Sequence, residues 1–297
     1  MNDSLSAARS WLFVPGDSER KIAKSWDSGA DVLIFDIEDS VPPENKAAAR
    51  AQVASALKEA RASHVATPCV VRINCLATGL AVDDIPDTIE GRPAAYVAPK
   101  VGSAADVLRI AEMLDEQEAR FGIEAGTTGI IPIATETPDA IFRMHEIAHA
   151  HRRVRALFWG MEDLATELGA HATRDRNGMM LDVFRTVRSL ALLAGASAGI
   201  GIVDTPFTAL ADAEGLVEEA ADASVMGFTG KLAIHPSQVA AINRAFTPSA
   251  HQIAEAEAIL ALSRDGGGAA FRYQGRMIDT PHLVAARKLL AKINPTR

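Results

Sequence analysis

The feature that most constrains this chain is an alternation along most of its length, in which short apolar runs are followed by longer Ala-, Leu- and Glu-rich stretches of helical period. The runs are Trp11–Val14, Val32–Phe35, Cys69–Ile73, Ala95–Ala98, Gly129–Ile133, Arg155–Trp159, Ile200–Val203 and Leu232–Ile234. Runs this short and this apolar suit strands buried on both faces, as in a parallel sheet covered by helices. Between them lie helical patterns at Glu44–Arg61, Ser103–Arg120, Pro138–His151, Met180–Ala196 and Ala209–Ala223, several opened by Pro or a small polar residue. Eight strands with helical returns predict an α/β chain closed into a (β/α)8 TIM barrel. An open dinucleotide-binding sheet is disfavoured because no GxGxxG follows the first strand.

The pattern changes after the eighth strand, dividing the chain into a barrel over 1–247 and a C-terminal helical arm over 248–297. The arm contains a helix near Ala250–Ser263, the run Gly266-Gly267-Gly268 as a hinge, then FRYQGRMIDTPH and a last helix to about Ile293. Such an arm is expected to cover the barrel mouth or reach another subunit. The segment Ala172–Gly178, ATRDRNG, reads as a mobile loop.

Of the 297 residues, 48% are hydrophobic and 23% charged, as in a globular protein with a large core. A net charge of −8 with dispersed acidic residues leaves no basic stripe for a phosphate backbone, so no nucleic-acid partner is expected. No stretch approaches the roughly 20 apolar residues of a membrane span, and the N-terminus lacks the pattern of a secretion signal. Cys69 and Cys75 have no metal-ligand spacing and read as reduced residues of a cytoplasmic protein.

In a barrel the C-terminal ends of the strands meet at one face, so residues just after each strand share a pocket although distant in sequence. Here those positions hold Asp36, Glu38 and Asp39, then Arg72, Lys100, Glu136, Asp163, Asp204 and His235. A face this rich in carboxylates needs cations, so Arg72, Lys100 and a divalent metal are expected there. Carboxylates without a Cys and His cluster favour Mg2+ or Mn2+ over zinc. The run His145-Glu146-Ile147-Ala148-His149 matches HExxH. Its helix belongs to the outer layer, however, with the histidines about two to three turns from the catalytic face, so it reads as a surface pair.

At these residues the chain resembles the citrate lyase beta-chain family, with its malyl-CoA and citramalyl-CoA lyases, in the HpcH/HpaI aldolase superfamily. The motifs, in family order over almost the full length, are RSWLFVPGD, DVLIFDIEDSV, VVRIN, APK, ATETP, GMEDLATELG, GFTGKLAIHPSQ and GRMIDTPH. The resemblance implies that Glu136 and Asp163 bind Mg2+, with water and substrate oxygens completing the shell. It implies that Asp36, Glu38 and Asp39 form a supporting acidic cluster and that Arg72 contacts the reacting carbonyl oxygen. Asp279 then corresponds to an aspartate supplied by an adjacent subunit, in a homo-oligomer built on trimers, whether trimer or hexamer. Two departures stand out: Glu162 beside Asp163, and the stretch GIVDTPFTALAD around Asp204.

The implied reaction is cleavage of a 3-hydroxyacyl-CoA, such as citramalyl-CoA or malyl-CoA, into acetyl-CoA and a 2-oxo acid, or the reverse. Such a bond break leaves charge on the thioester oxygen, which Arg72 would stabilise. A carboxylate must move a proton at the acetyl carbon, and Asp279 is the candidate. Arg20 and Lys24, one turn apart after VPGD, would meet CoA phosphates or carboxylates, Lys231 and His235 would line the mouth, and Lys100 joins them in the substrate-binding set. Three other readings are open: a citrate lyase beta chain acting on an acyl-carrier-protein thioester, an aldolase for a free hydroxy acid, and a non-catalytic acyl-CoA-binding protein.

Overall fold

The computed structural model describes residues 5–265 and 270–291. The Gly266–Gly268 hinge and the end of the last helix beyond Ala291 lie outside the described residues. The first half of the barrel runs β1 (Ser10–Pro15), α1 (Glu19–Ser25), β2 (Val32–Asp36), α2 (Lys46–Ala62), β3 (Cys69–Arg72), α3 (Ala81–Thr88), β4 (Ala95–Ala98) and α4 (Ala104–Arg120). The second half runs β5 (Gly129–Pro132), α5 (Pro138–Ile141), α6 (Met144–His149), β6 (Ala156–Phe158), α7 (Glu162–Glu167), α8 (Asp182–Ala198), β7 (Gly201–Asp204), α9 (Ala213–Met226), β8 (Gly230–Ala233) and α10 (Pro236–Phe246). After these come α11 (Ala250–Asp265), the hairpin β9 (Phe271–Tyr273) and β10 (Arg276–Ile278), and α12 (Thr280–Ala291).

The eight strands are parallel in the order β5-β4-β3-β2-β1-β8-β7-β6. Bridges from Ile130 to Val154 and from Ile133 to Phe158 bring β5 to β6, which makes the sheet a (β/α)8 barrel. At the β1–β8 seam, a Cβ on Gly230 would stand 2.5 Å from the Ala8 carbonyl oxygen, so only glycine lets the strands approach this closely.

Strand alternation divides the buried residues into two layers. Trp11, Val32, Ile34, Val70, Val97, Ile131, Phe158, Val203 and Leu232 fill the barrel interior, where Trp11 meets Phe158 edge to face at 5.2 Å. Their neighbours Leu12, Leu33, Phe35, Val71, Leu157 and Ile202 point outward and pack under the helices. This parity decides which residues at the strand ends can face a central pocket.

Three local expectations differ from the structure. The helix expected over Pro138–His151 is broken at Phe142–Arg143 into α5 and α6, so the HExxH run occupies one short helix. The last barrel strand begins earlier than expected, at Gly230, and takes Lys231 into the sheet. The Ala172–Gly178 segment is a hydrogen-bonded hairpin: Leu181 N–H donates to Thr173 O at 3.0 Å, Asp175 N–H donates to Met179 O at 2.8 Å, and Arg174 pairs with Glu219. In the C-terminal segment, Ala256, Ile259, Ile278, Leu283 and Ala286 form a small apolar cluster of their own. Among the described residues, no helix is long and apolar enough to cross a membrane.

Candidate active site

A cavity of about 410 Å³ opens among the strand ends, lined by Phe13, Asp36, Arg72, Glu136, Asp163 and Thr205 together with apolar neighbours that include Trp159, Leu232 and Ile234. Asp36 and Arg72 follow the inward parity of Ile34 and Val70 and meet across adjacent strands. Arg72 donates to Asp36 through Nε at 2.8 Å and Nη2 at 2.6 Å, a two-pronged pair, while its guanidinium lies 4.8 Å from the Phe13 ring centre. The loop after β2 wraps the same carboxylate, with the Glu38 and Ser40 N–H groups donating to it at 2.9 and 3.2 Å. Burial alone would raise the Asp36 pKa, but the Arg72 charge and these bonds outweigh it and hold the group below its ordinary value.

Glu38 links the two basic residues. Its oxygens lie 3.1 Å from Arg72 Nη1 and 2.8 Å from Lys100 Nζ, and burial still lifts its pKa above the ordinary value. Lys46, absent from the expected set, donates to the Ile37 and Glu38 carbonyls at 2.9 and 2.6 Å and fixes this loop from behind. Asp39 is more exposed and lies 3.8 Å from Arg72 and 3.7 Å from Lys100.

Lys100 has φ of +53°, a left-handed conformation that few side chains adopt without a local cause. The bend lets its backbone N–H donate to Glu136 at 2.5 Å while its Nζ reaches Glu38 and, at 3.6 Å, Asp163. Burial, then the charge of Asp163, pushes the Glu136 carboxyl up to about 8. Gly160 permits this crowding, since a Cβ there would stand 3.2 Å from Glu136 Cγ.

A buried carboxylate destabilised by desolvation and by a second carboxylate has the electrostatics of a cation site, and an all-oxygen donor set suits a hard ion. Among the described residues no three His, Cys, Asp or Glu side chains converge as a metal cage. Glu136 and Asp163 both line the cavity, and two carboxylates suit a hard ion such as Mg2+ whose other positions go to water or ligand oxygens.

The remaining expected residues are not gathered at the cavity. Arg20 and Lys24 lie on the exposed side of α1 and do not line it. His235 is exposed and caps α10, its ring accepting from Ser237 N–H at 3.2 Å. Asp279 is exposed, pairs with His282 at 2.6 Å, and does not line the cavity of its own chain.

Lys231 and Asp204 require correction, because neither lines the mouth. Leu232 and Val203 point inward, so Lys231 and Asp204 face the helical layer, both fully buried. Lys231 Nζ donates to Asp204, Glu219 and the Thr205 carbonyl at 2.8, 2.9 and 2.6 Å. Asp204 also accepts from Arg188 twice at 3.0 Å and from Trp159 Nε1 at 2.8 Å. Despite burial, Lys231 and Arg188 hold its pKa below the ordinary value. These bonds tie the ends of β7 and β8 to α8, α9 and the Trp159 side chain on the outer side of the barrel. The HExxH histidines lie against α8, with His145 Nδ1 3.3 Å from Ser197 Oγ and His149 Nε2 3.3 Å from Ser197 O, away from the cavity.

The family model described as HpcH/HpaI aldolase/citrate lyase matches residues 9–236, from the start of β1 to the start of α10. The chain belongs to this family. It is 35% identical over 287 residues to a citrate lyase subunit beta-like protein of Mycobacterium tuberculosis, covering 97% of this chain and 96% of the relative. It is 33% identical to a (3S)-malyl-CoA thioesterase of Cereibacter sphaeroides, covering 96% of this chain and 94% of the relative. Among solved structures, CitE of Mycobacterium tuberculosis in complex with magnesium, acetoacetate and coenzyme A superposes with a TM-score of 0.78 at 34% identity, over 97% of this chain and 99% of that one.

Proposed function

We propose that this chain is an Mg2+-dependent carbon–carbon lyase that cleaves a 3-hydroxyacyl-CoA, such as citramalyl-CoA or malyl-CoA, into acetyl-CoA and a 2-oxo acid, or runs the reverse condensation. The observation that carries the reading is the meeting of Arg72, Glu136 and Asp163 at one cavity, with Glu136 buried beside a second carboxylate and so destabilised without a cation. A structural relative that holds magnesium, acetoacetate and coenzyme A supports the choice of ion and substrate class.

Glu136 and Asp163 would hold Mg2+, which when bound polarises the oxygens of the acid half. In cleavage the substrate hydroxyl loses its proton and its oxygen becomes the carbonyl of the 2-oxo acid. The carbon–carbon bond breaks, its electron pair passes into the thioester as an enolate, and a proton added at carbon gives the acetyl thioester. Arg72, held in place by Asp36 and Phe13, stabilises the developing oxyanion charge. Glu38 and Asp39 pair with Arg72, which lines the cavity, and with Lys100, which does not line it and is assigned to the substrate through its contact with Asp163. Arg20 and Lys24 are assigned to the CoA handle, with His235 at the rim.

Asp279 is assigned to the proton transfer at carbon, supplied by the arm of a neighbouring subunit in a homotrimer or hexamer. Its position outside its own chain's cavity supports that assignment. On this reading the C-terminal arm acts as a lid over the site of another copy.

The test is product analysis. With Mg2+ and a panel of hydroxyacyl-CoA esters and free hydroxy acids, the purified protein should release acetyl-CoA and a 2-oxo acid. Release of free CoA and an intact hydroxy acid would identify a thioesterase instead, and turnover of free hydroxy acids alone would identify an aldolase that needs no CoA.

A further inference from the structure

Thr205 lines the cavity and is only 1% exposed, yet its hydroxyl has no hydrogen-bond partner among the described residues. Buried hydroxyls are rarely left unpaired, and an exception calls for an explanation. The comparable buried atoms Gln52 Nε2, Gln117 Oε1, Arg153 Nε and Asn243 Oδ1 belong to residues that do not line this cavity. Glu38 Oε2, the other such atom near the site, is faced by Arg72 Nη1 at 3.1 Å.

The backbone holds this hydroxyl in place. Thr205 continues the inward parity of Val203, and the following Pro206 restricts Thr205 to extended conformations. Lys231 Nζ grips the Thr205 carbonyl at 2.6 Å, and Gln238 Nε2 grips the Phe207 carbonyl at 2.7 Å. Gly160, the residue packed against Glu136, lines the same cavity as Thr205, just beyond the last β6–β7 partners Phe158 and Val203. The nearby wall, formed by Pro206, Leu232 and Ile234, is apolar.

We propose that the Thr205 hydroxyl donates a hydrogen bond to an oxygen of the 2-oxo acid half of the substrate and is a specificity-determining residue for that half. The inference rests on the lyase reading above. A 2-oxo acid presents only acceptor oxygens, which an unpaired hydroxyl in an otherwise apolar wall would select. The depth of Thr205 inside the barrel assigns it to the small acid, because the long thioester handle must leave through the mouth.

The experiment compares wild type, Thr205→Val and Thr205→Ser by calorimetric titration with pyruvate, glyoxylate and, separately, CoA, all with Mg2+, and by thermal melts without ligand. Thr205→Val should weaken 2-oxo acid binding about tenfold to hundredfold, as for a lost hydrogen bond to a charged acceptor, and leave CoA binding unchanged. Thr205→Ser should retain 2-oxo acid binding. Because the valine replaces an unpaired hydroxyl with a methyl of the same shape, Tm should hold or rise.

Unchanged 2-oxo acid binding in Thr205→Val, or a loss confined to CoA, would overturn the proposal. A lowered Tm in the ligand-free valine variant would also overturn it, by showing that the hydroxyl serves the fold. If wild type binds neither oxo acid, the lyase reading fails and takes this role with it. If wild type binds them and the valine variant does so equally, only the Thr205 role fails.

Discussion

Replacing Lys231 by Met should damage the fold far more than a substitution at a solvated pocket mouth would. The ammonium makes three short bonds in a fully buried setting, to Asp204, Glu219 and the Thr205 carbonyl. A methionine fills similar space but leaves Asp204 to Arg188 alone among the charges and Glu219 to Arg174, with the Thr205 carbonyl unpaired. Breaking a buried ion pair from one side typically costs about 3–5 kcal/mol. At roughly 2–4 °C per kcal/mol for a domain of this size class, Tm should fall on the order of 10 °C. The assay is a thermal melt followed by circular dichroism, with 2-oxo acid affinity measured well below the transition. A Tm equal to wild type together with abolished activity would refute the reasoning, because it would place Lys231 in contact with substrate and not behind the wall.

Three further outcomes are expected. Arg72→Lys keeps a charge but loses the two-pronged geometry on Asp36, so kcat should fall about 10²- to 10³-fold with little change in the far-ultraviolet spectrum; near-normal turnover would remove Arg72 from oxyanion stabilisation. Glu118 is buried against Arg153 and the Thr128 and Gly126 N–H groups, which outweigh desolvation and lower its carboxyl to about 2. A depressed carboxyl stabilises the fold fully above the ordinary value near 4.5 and loses that contribution as pH falls toward 2. The stability gap between wild type and Glu118→Gln, about 3 kcal/mol at neutral pH, should therefore close over that window in pH-dependent melts, and a gap independent of pH would contradict the assignment. Mixed oligomers of Asp279→Asn and Arg72→Ala chains should regain part of the activity that each lacks, whereas verified mixed oligomers without rescue would place the arm in cis.

The barrel was legible because its constraint is local. A run such as Val32–Phe35, apolar at every position, suits a strand covered on both faces, and the residues that follow it must emerge at the catalytic face. Asp36, Arg72, Glu136 and Asp163 could therefore be placed together before any geometry was known. The direction in which a strand-end residue points was not legible, since a one-residue shift in strand start reverses it. Gly230 and Lys231 read as a loop before Leu232, although the strand begins at Gly230, and parity then turns Lys231 and Asp204 toward the helices.

The left-handed backbone of Lys100, which presents an N–H to Glu136, left no sequence signal beyond its place after Pro99. Lys46 was hidden in a helix start, where a lysine usually reads as a surface charge. The orphan hydroxyl of Thr205 required both the parity of β7 and a complete account of hydrogen bonds. A sequence alone supplies neither.

The central claim is that Glu136 and Asp163 share one hard cation beside Arg72. An anomalous-scattering map from crystals soaked with Mn2+ and pyruvate tests it directly. The account predicts a single strong peak within direct coordination distance of a carboxylate oxygen of each residue, about 2 Å as for Mg2+, with pyruvate oxygens completing the shell. A cavity without a peak, or a peak at His145 and His149 instead, would contradict it.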